Sequence, residues 1–306
     1  MRTPCAPISV VFDEINGIPG ISELHPRYLM NRIAKQFLFI LILGAAIACA
    51  LDRGYAQGAD GSLSDIPSQP RSSRDGNNSS SDREVSWRTL PKDFLHDQKA
   101  LWLFPVQLAK GHNWLPTLAI TGGTAGLVVA DPHVMPYFRS HSQRLDDLND
   151  TFDAPITTAE TVALPVSFMI AGYVRHDSYQ VGTALLAGEA YADSAVVDLV
   201  VKAISRRKRP SDVNAAASFN NTFFSGGKSP FKGSSFPSGH AAGVFSVATV
   251  VATRYHSHRW VPWIIYGFAT AVSFSRVTSN AHFPSDVFLG AALGYTITRY
   301  QVLSSR

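Results

Sequence analysis

A chain of 306 residues and 33.2 kDa has room for two average domains, but its first 85 or so residues are too polar, one short run apart, to build a core, which leaves about 220 residues for a single domain. A hydrophobic fraction of 45% and a mean hydropathy of +0.03 are those of ordinary globular proteins and do not demand a polytopic membrane protein. The net charge of +4 and pI near 9.1 owe much to one cluster, Arg206, Arg207, Lys208 and Arg209; without a basic stripe interleaved with aromatics they argue against nucleic acid as a partner.

Residues 1–56 read as an N-terminal leader. Arg32 and Lys35 precede an apolar run from Phe37 to Leu51, and small residues with Gly54-Tyr55-Ala56 follow, the pattern of a secretory signal peptide. Met30 would give that signal a conventional length and is the expected true start. The run is shorter than the roughly 20 residues of a membrane span. Cys5 and Cys49, the two cysteines of the chain, both fall in the leader, so the exported part has neither a disulfide nor a thiolate metal site. Residues 57–86 are dominated by Ser, Asp, Gly, Arg and Asn and read as a disordered linker.

From residue 87 to 306 the pattern is helical. Leu95, Leu101, Leu103, Phe104 and Leu108 mark a first stretch and the uncharged run from Gly111 to Ala130 a second, punctuated by Pro105, Pro116 and Asp131-Pro132. Further helices are predicted over 156–174, 179–205, 239–255, 260–274 and 285–302, with no alternating strand. The fold class is therefore all-α, a single bundle of about seven helices. In the helix ending near 205, Val181, Leu185, Ala192, Val196, Leu199 and Val200 recur at helical spacing, while Glu189, Asp193 and Asp198 interrupt any hydrocarbon-compatible face. Apart from 111–130 the uncharged stretches are too short to read as spans, which favours a soluble or peripheral enzyme over an integral one. Gly122 and Gly126, like Gly290 and Gly294, would allow close helix approach in either setting.

Three short segments carry the chemistry. Lys202 stands six residues before Arg209-Pro210; Pro237-Ser238-Gly239-His240 opens an apolar helix; Ser275-Arg276 is followed by His282 and Asp286. Together they supply three cations, two histidines and one carboxylate, the groups needed to hold a phosphoryl group and pass it through a covalent histidine without metal. Ser238 can cap the helix it precedes while the Ser238 and Gly239 amides face an anion. Lys202, Arg209 and Arg276 suit the three equatorial oxygens of a transferring phosphoryl group, arginine by its bidentate fork and lysine as a point charge. The neighbours Arg206, Arg207 and Lys208 read as a solvated rim beside Arg209. No other histidine has a partner pattern: His256 and His258 sit in a probable surface connection, and His96, His112, His133, His141 and His176 stand alone.

In order and spacing these segments resemble the type 2 phosphatidic acid phosphatase superfamily, which also holds bacterial acid phosphatases, lipid phosphatases and vanadium haloperoxidases. The resemblance implies that His282 attacks phosphorus, that Asp286 orients it, and that His240 protonates the leaving oxygen and later activates water. It also implies an exported, periplasmic or envelope-bound hydrolase acting on phosphomonoesters or lipid (pyro)phosphates. No metal or other cofactor is expected, and vanadate is expected to inhibit. Alternatives are a vanadate-dependent haloperoxidase and a non-catalytic anion-binding or transport component. The loop 211–235, with Phe219, Phe223, Phe224 and Phe231, either covers the pocket against an acyl or prenyl chain or simply packs. Oligomeric state and membrane association stay open.

Overall fold

The computed structural model describes Gly44, Arg83 and residues 85–214, 217–226 and 234–304. The expected signal segment, the linker and Phe231 otherwise lie outside the described residues. Among these residues there are helices and no strand: α1 Leu90–Trp102, α2 Phe104–Ala109, α3 Trp114–His141, α4 Asp146–Thr151, α5 Ala154–Arg175, α6 Ser178–Ser205, α7 Gly239–Arg254, α8 Val261–Thr278 and α9 Pro284–Ile297. Seven of the nine exceed ten residues, in keeping with the all-α expectation.

Caps explain the boundaries of the central helices α5 and α6. The Asp153 carboxylate accepts the Ala154 N–H at 2.7 Å to start α5, and Asp177 accepts those of Tyr179 and Gln180 at 2.9 and 3.2 Å to start α6. His176 and Arg206, at φ +54° and +40°, turn the chain out of α5 and α6. The prolines of the second stretch do not punctuate as predicted: α3 runs through Pro116, Pro132 and Pro136 to His141. A proline forfeits one backbone hydrogen bond. Here Asp131, immediately before Pro132, is fixed by tertiary bonds described below, and that anchoring outweighs the local break.

Helix α7 is the hub. It packs against α5, α6, α8 and α9, and most of its residues are buried. Val244, Val247, Val250 and Val251 supply its apolar payload, each worth about 1.5–3 kcal/mol on burial. One cluster joins α7 to Phe168 of α5, Ala184 of α6 and Ile265, Ala269 and Val272 of α8; a second joins it to Leu186, Ala190, Ile297 and Val302. Small residues set the spacing between α7 and α9. A β-carbon on Gly294 would overlap the Ala242 carbonyl oxygen, and one on Gly290 the Ser238 carbonyl oxygen. Gly294→Ala is therefore expected to push α9 off α7 and to cost about 2–4 kcal/mol, read as a lower Tm in thermal unfolding.

The polar face of α6 is not where its sequence pattern placed it. Glu189, Asp193 and Asp198 are buried and Leu199 is half exposed. The carboxylates turn inward because partners await them: Arg83 Nη2 lies 2.8 Å from Glu189 Oε1 and 2.9 Å from Asp93 Oδ2, Gln98 Nε2 lies 2.8 Å from Asp193 Oδ1, and Lys202 Nζ lies 2.7 Å from Asp198 Oδ2. Leu95 and Leu103, two of the apolar residues that mark the first helical stretch, are exposed.

Candidate active site

The three motif segments, separated in sequence by 26 and 34 residues, meet where α6, α7, α8 and α9 converge. Lys202 comes from the last turn of α6 and Arg209 from the connection after it. Ser238 is the N-cap of α7, with Gly239 and His240 its first two residues. Arg276 lies in the last turn of α8; His282 precedes α9, and Asp286 is its third residue.

Close contacts tie these pieces together. Ser238 donates its N–H to the Asp286 carbonyl at 2.9 Å, and its hydroxyl accepts the Ala241 N–H at 3.4 Å. A β-carbon on Gly239 would stand 2.9 Å from Asp198 Oδ2 and 3.0 Å from Lys202 Nζ, so glycine is what lets the α7 N-terminus reach the α6 ion pair. The His240 ring approaches the first turns of α5, its Nε2 3.3 Å from the Ala154 carbonyl and 3.4 Å from the Thr158 hydroxyl. Beside it opens a cleft of about 240 Å³ lined by Thr158, Thr161, Tyr191, Leu199, Lys202 and His240, among others. The close fit of the Tyr191 ring over Gly243 forms part of that wall.

His282 is 2% exposed, and its partner differs from the one its spacing implied. Nδ1 lies 2.7 Å from the Ser235 carbonyl oxygen and 3.7 Å from Asp286 Oδ2. A carbonyl can only accept, so Nδ1 carries the proton and Nε2 keeps its lone pair. Burial lowers the His282 pKa; Asp286 opposes this, and Arg209 and Lys202 reinforce it, with a net downward shift. The ring is neutral at neutral pH, the state a nucleophile requires.

Asp286 is held from four sides. Arg207 Nη1 donates to Oδ1 at 2.6 Å, the Phe283 N–H donates to Oδ2 at 2.8 Å, the Ser235 hydroxyl also donates to Oδ2, and His282 stands beyond. Burial alone would raise this carboxyl, but the neighbouring His282 ring, the Arg207 charge and the Ser235 hydroxyl outweigh it and hold the group below its ordinary range.

Arg207 is the residue that sequence reasoning misplaced. It is 1% exposed rather than part of a solvated rim. Besides Asp286 it bonds Asp131 Oδ2 at 2.7 Å, the Ser285 hydroxyl at 2.7 Å and the Thr222 hydroxyl at 3.0 Å, and its guanidinium lies over the rings of Phe283 and Phe223 at 3.9 and 4.4 Å. Ser285 in turn bonds Asp131 through both its hydroxyl and its N–H, at 2.5 and 3.2 Å. The clamp thus fastens α3 and α9 to the 206–212 connection. Nothing in the run Arg206 to Arg209 marks it out: in extended chain, neighbours two apart share a face, yet Arg207 is buried and Arg209 exposed. The same aromatic packing settles two residues of the loop after Arg209, since Phe219 is buried on Phe283 while Phe223 covers Arg207; Phe224 is exposed.

Positive charge and burial set the electrostatics of the cluster. His240 is pushed down to about 3 by burial and by Arg276, His282 and Lys202. Arg276, 2% exposed, is lowered to about 10 by burial and by Arg209, against the pull of Asp153 and Glu160. Among the described residues its Nε and Nη2 bond the hydroxyl of Ser275 alone, at 3.2 and 3.1 Å, and no carboxylate pairs with it. A buried guanidinium so placed, beside a helix N-terminus, presents positive potential.

Comparison with known proteins agrees with this geometry. A stretch of 66 residues is 41% identical to a lipid A 1-phosphatase of Porphyromonas gingivalis, covering 21% of this chain and 14% of that relative. No solved structure matches the chain. The family model described as PAP2 superfamily matches residues 183–305, the region that carries every motif segment and four of the converging helices, and over that region the chain is similar to the PAP2 superfamily.

Proposed function

We propose that the protein is a phosphoric ester hydrolase that works without metal through a phosphohistidine at His282. The observation that carries this reading is the neutral His282, its proton pinned on Nδ1 by the Ser235 carbonyl, amid Lys202, Arg209 and Arg276. Those cations hold three oxygens of the phosphoryl group, with the Gly239 amide at the N-terminus of α7, while the Ser238 N–H, expected to face the anion, is instead taken up by the Asp286 carbonyl. Nε2 of His282 attacks phosphorus in line, and the leaving oxygen departs with a proton from His240. Bound phosphate restores the basicity of His240, since its negative charge offsets the Arg276 and Lys202 charges that depress the empty site. Water then displaces the phosphoryl group from His282, with His240 taking its proton. Asp286 steadies the cationic ring while the P–N bond exists.

The leaving group occupies the cleft beside His240, whose lining mixes the Thr158 and Thr161 hydroxyls with the Tyr191 ring and Leu199. A lipid phosphate fits the relative named lipid A 1-phosphatase. It also fits the surface: all five tryptophans, Trp87, Trp102, Trp114, Trp260 and Trp263, are exposed, as side chains at a bilayer interface are. Among the described residues the helical run Trp114–Arg175 contains one window long and apolar enough to cross a membrane. We place the enzyme at the cell envelope after export.

Hydrolysis of a chromogenic phosphate monoester tests the reading. Turnover is expected to persist in excess chelator and to be suppressed by micromolar to millimolar vanadate, which adopts the five-coordinate geometry of the transition state. Loss of activity in chelator, restored by one divalent ion, would remove the metal-free mechanism. Halide oxidation driven by vanadate and peroxide would replace hydrolysis with the haloperoxidase reaction.

A further inference from the structure

One buried carboxyl beside the site has no part in the scheme above. Glu160, in the second turn of α5, is 4% exposed, and its Oε2 has no hydrogen-bond partner among the described residues. It shares that helix end with Thr158 and Thr161, which line the cleft, and with Ala154, whose carbonyl touches His240. Arg276 has the complementary deficiency, a buried guanidinium bonded only to the neighbouring Ser275 hydroxyl. Each of the two acts on the charge of the other, yet no ion pair joins them.

A buried carboxylate and a buried guanidinium that stop short of contact leave room for a third charged group on the cation. When a tetrahedral dianion arrives, Arg276 turns its charge to that anion and Glu160 is left facing net negative charge in a medium of low polarity. Building on the phosphate-site reading, we infer that Glu160 is the counter-charge of Arg276 in the empty site and takes up one proton when a doubly charged anion binds. The proton comes from solvent and sits on the carboxyl; no covalent bond changes. Glu160 is a positioning residue, acting on the anion through Arg276.

Its environment agrees. Burial lifts Glu160 to about 7, with Arg276 opposing, so the group is poised near neutrality. The charge that acts on it is Arg276 from α8; Asp153 at the start of its own helix and Arg209 act in turn on Arg276, and beyond Arg276 lie His240 from α7, His282 and the Asp198–Lys202 pair from α6. Both histidines are held below their ordinary range, and Asp198 is already engaged by Lys202. The stability sign is fixed by the same shift. A carboxyl raised in the folded state binds more protons folded than unfolded, so it erodes stability as pH rises from the ordinary glutamate range toward 7.

The test is calorimetric titration of the full chain with sulfate, whose charge is constant across the neutral range, in two buffers of different ionisation enthalpy. Wild type is expected to bind about tenfold more tightly near pH 6 than near pH 8.5 and to take up protons on binding near pH 7. Glu160→Gln should bind with the tighter affinity at both pH values and without proton uptake, while Glu160→Asp should restore the pH dependence. An unchanged pH slope in a folded Glu160→Gln overturns the inference and leaves the phosphatase reading standing. Should Glu160→Gln fail to fold, absence of proton uptake by wild type overturns it equally. Failure of folded wild type to bind sulfate at any pH would overturn the inference and the anion site together.

Discussion

His282→Ala is expected to abolish turnover, by about 10⁴-fold or more, while the protein still folds. The size of the loss follows from the role: a residue that forms the covalent bond has no substitute within reach, whereas removing a phosphate ligand only weakens alignment. The fold should survive because His282 carries no permanent charge in the empty site and makes one side-chain hydrogen bond, to the Ser235 carbonyl. Its loss and the small void cost about 1–3 kcal/mol. Rapid acid-sensitive labelling from a radioactive phosphate ester should mark the wild-type protein and leave His282→Ala unmarked. Activity of that variant within tenfold of wild type would require a different nucleophile.

Arg207→Met is expected to be the most destabilising single change in the site, by about 3–5 kcal/mol. Methionine fills much of the aliphatic volume, so packing between Phe223 and Phe283 is largely kept. What is lost is the cation between Asp131 and Asp286, two fully buried carboxylates. Without it both face each other uncompensated, and the Ser285 and Thr222 hydroxyls lose a donor. The defect should ease as pH falls. Asp286 is held below its ordinary range partly by Arg207, so in the variant it protonates at higher pH, and acidification neutralises the repulsion. Thermal unfolding across pH checks this: a Tm deficit that shrinks toward acid is expected. An unchanged Tm at neutral pH would mean that the clamp contributes nothing.

The sequence made the helices legible because α5, α6 and α7 start at side-chain caps, α8 and α9 start with a proline in the first turn, and all five carry long apolar stretches, so that their ends fall within about five residues of expectation. It was misleading at Asp131-Pro132, where a local break is overridden by a bond made from the far end of the chain, and at Glu189 and Asp193, where acidic side chains turn inward to Arg83 and Gln98. Nothing in helical spacing announces such partners. The residues of the site were readable because spacing within each segment is rigid: Ser238 caps the helix that presents His240, and Pro284 starts the helix that presents Asp286. The second layer was hidden. Arg207 differs from its basic neighbours only in what surrounds it, and the role of Ser235 is played by its carbonyl, an atom every residue has.

That carbonyl shapes how the chain can vary. A main-chain oxygen survives every substitution at position 235, so the orientation of the imidazole is insulated from point mutation in a way that a carboxylate partner is not. On the proposed mechanism, changes at Asp286 would then retune the lifetime of the charged ring without unseating it, and the rate at which the intermediate breaks down could vary while the geometry of attack stays inherited.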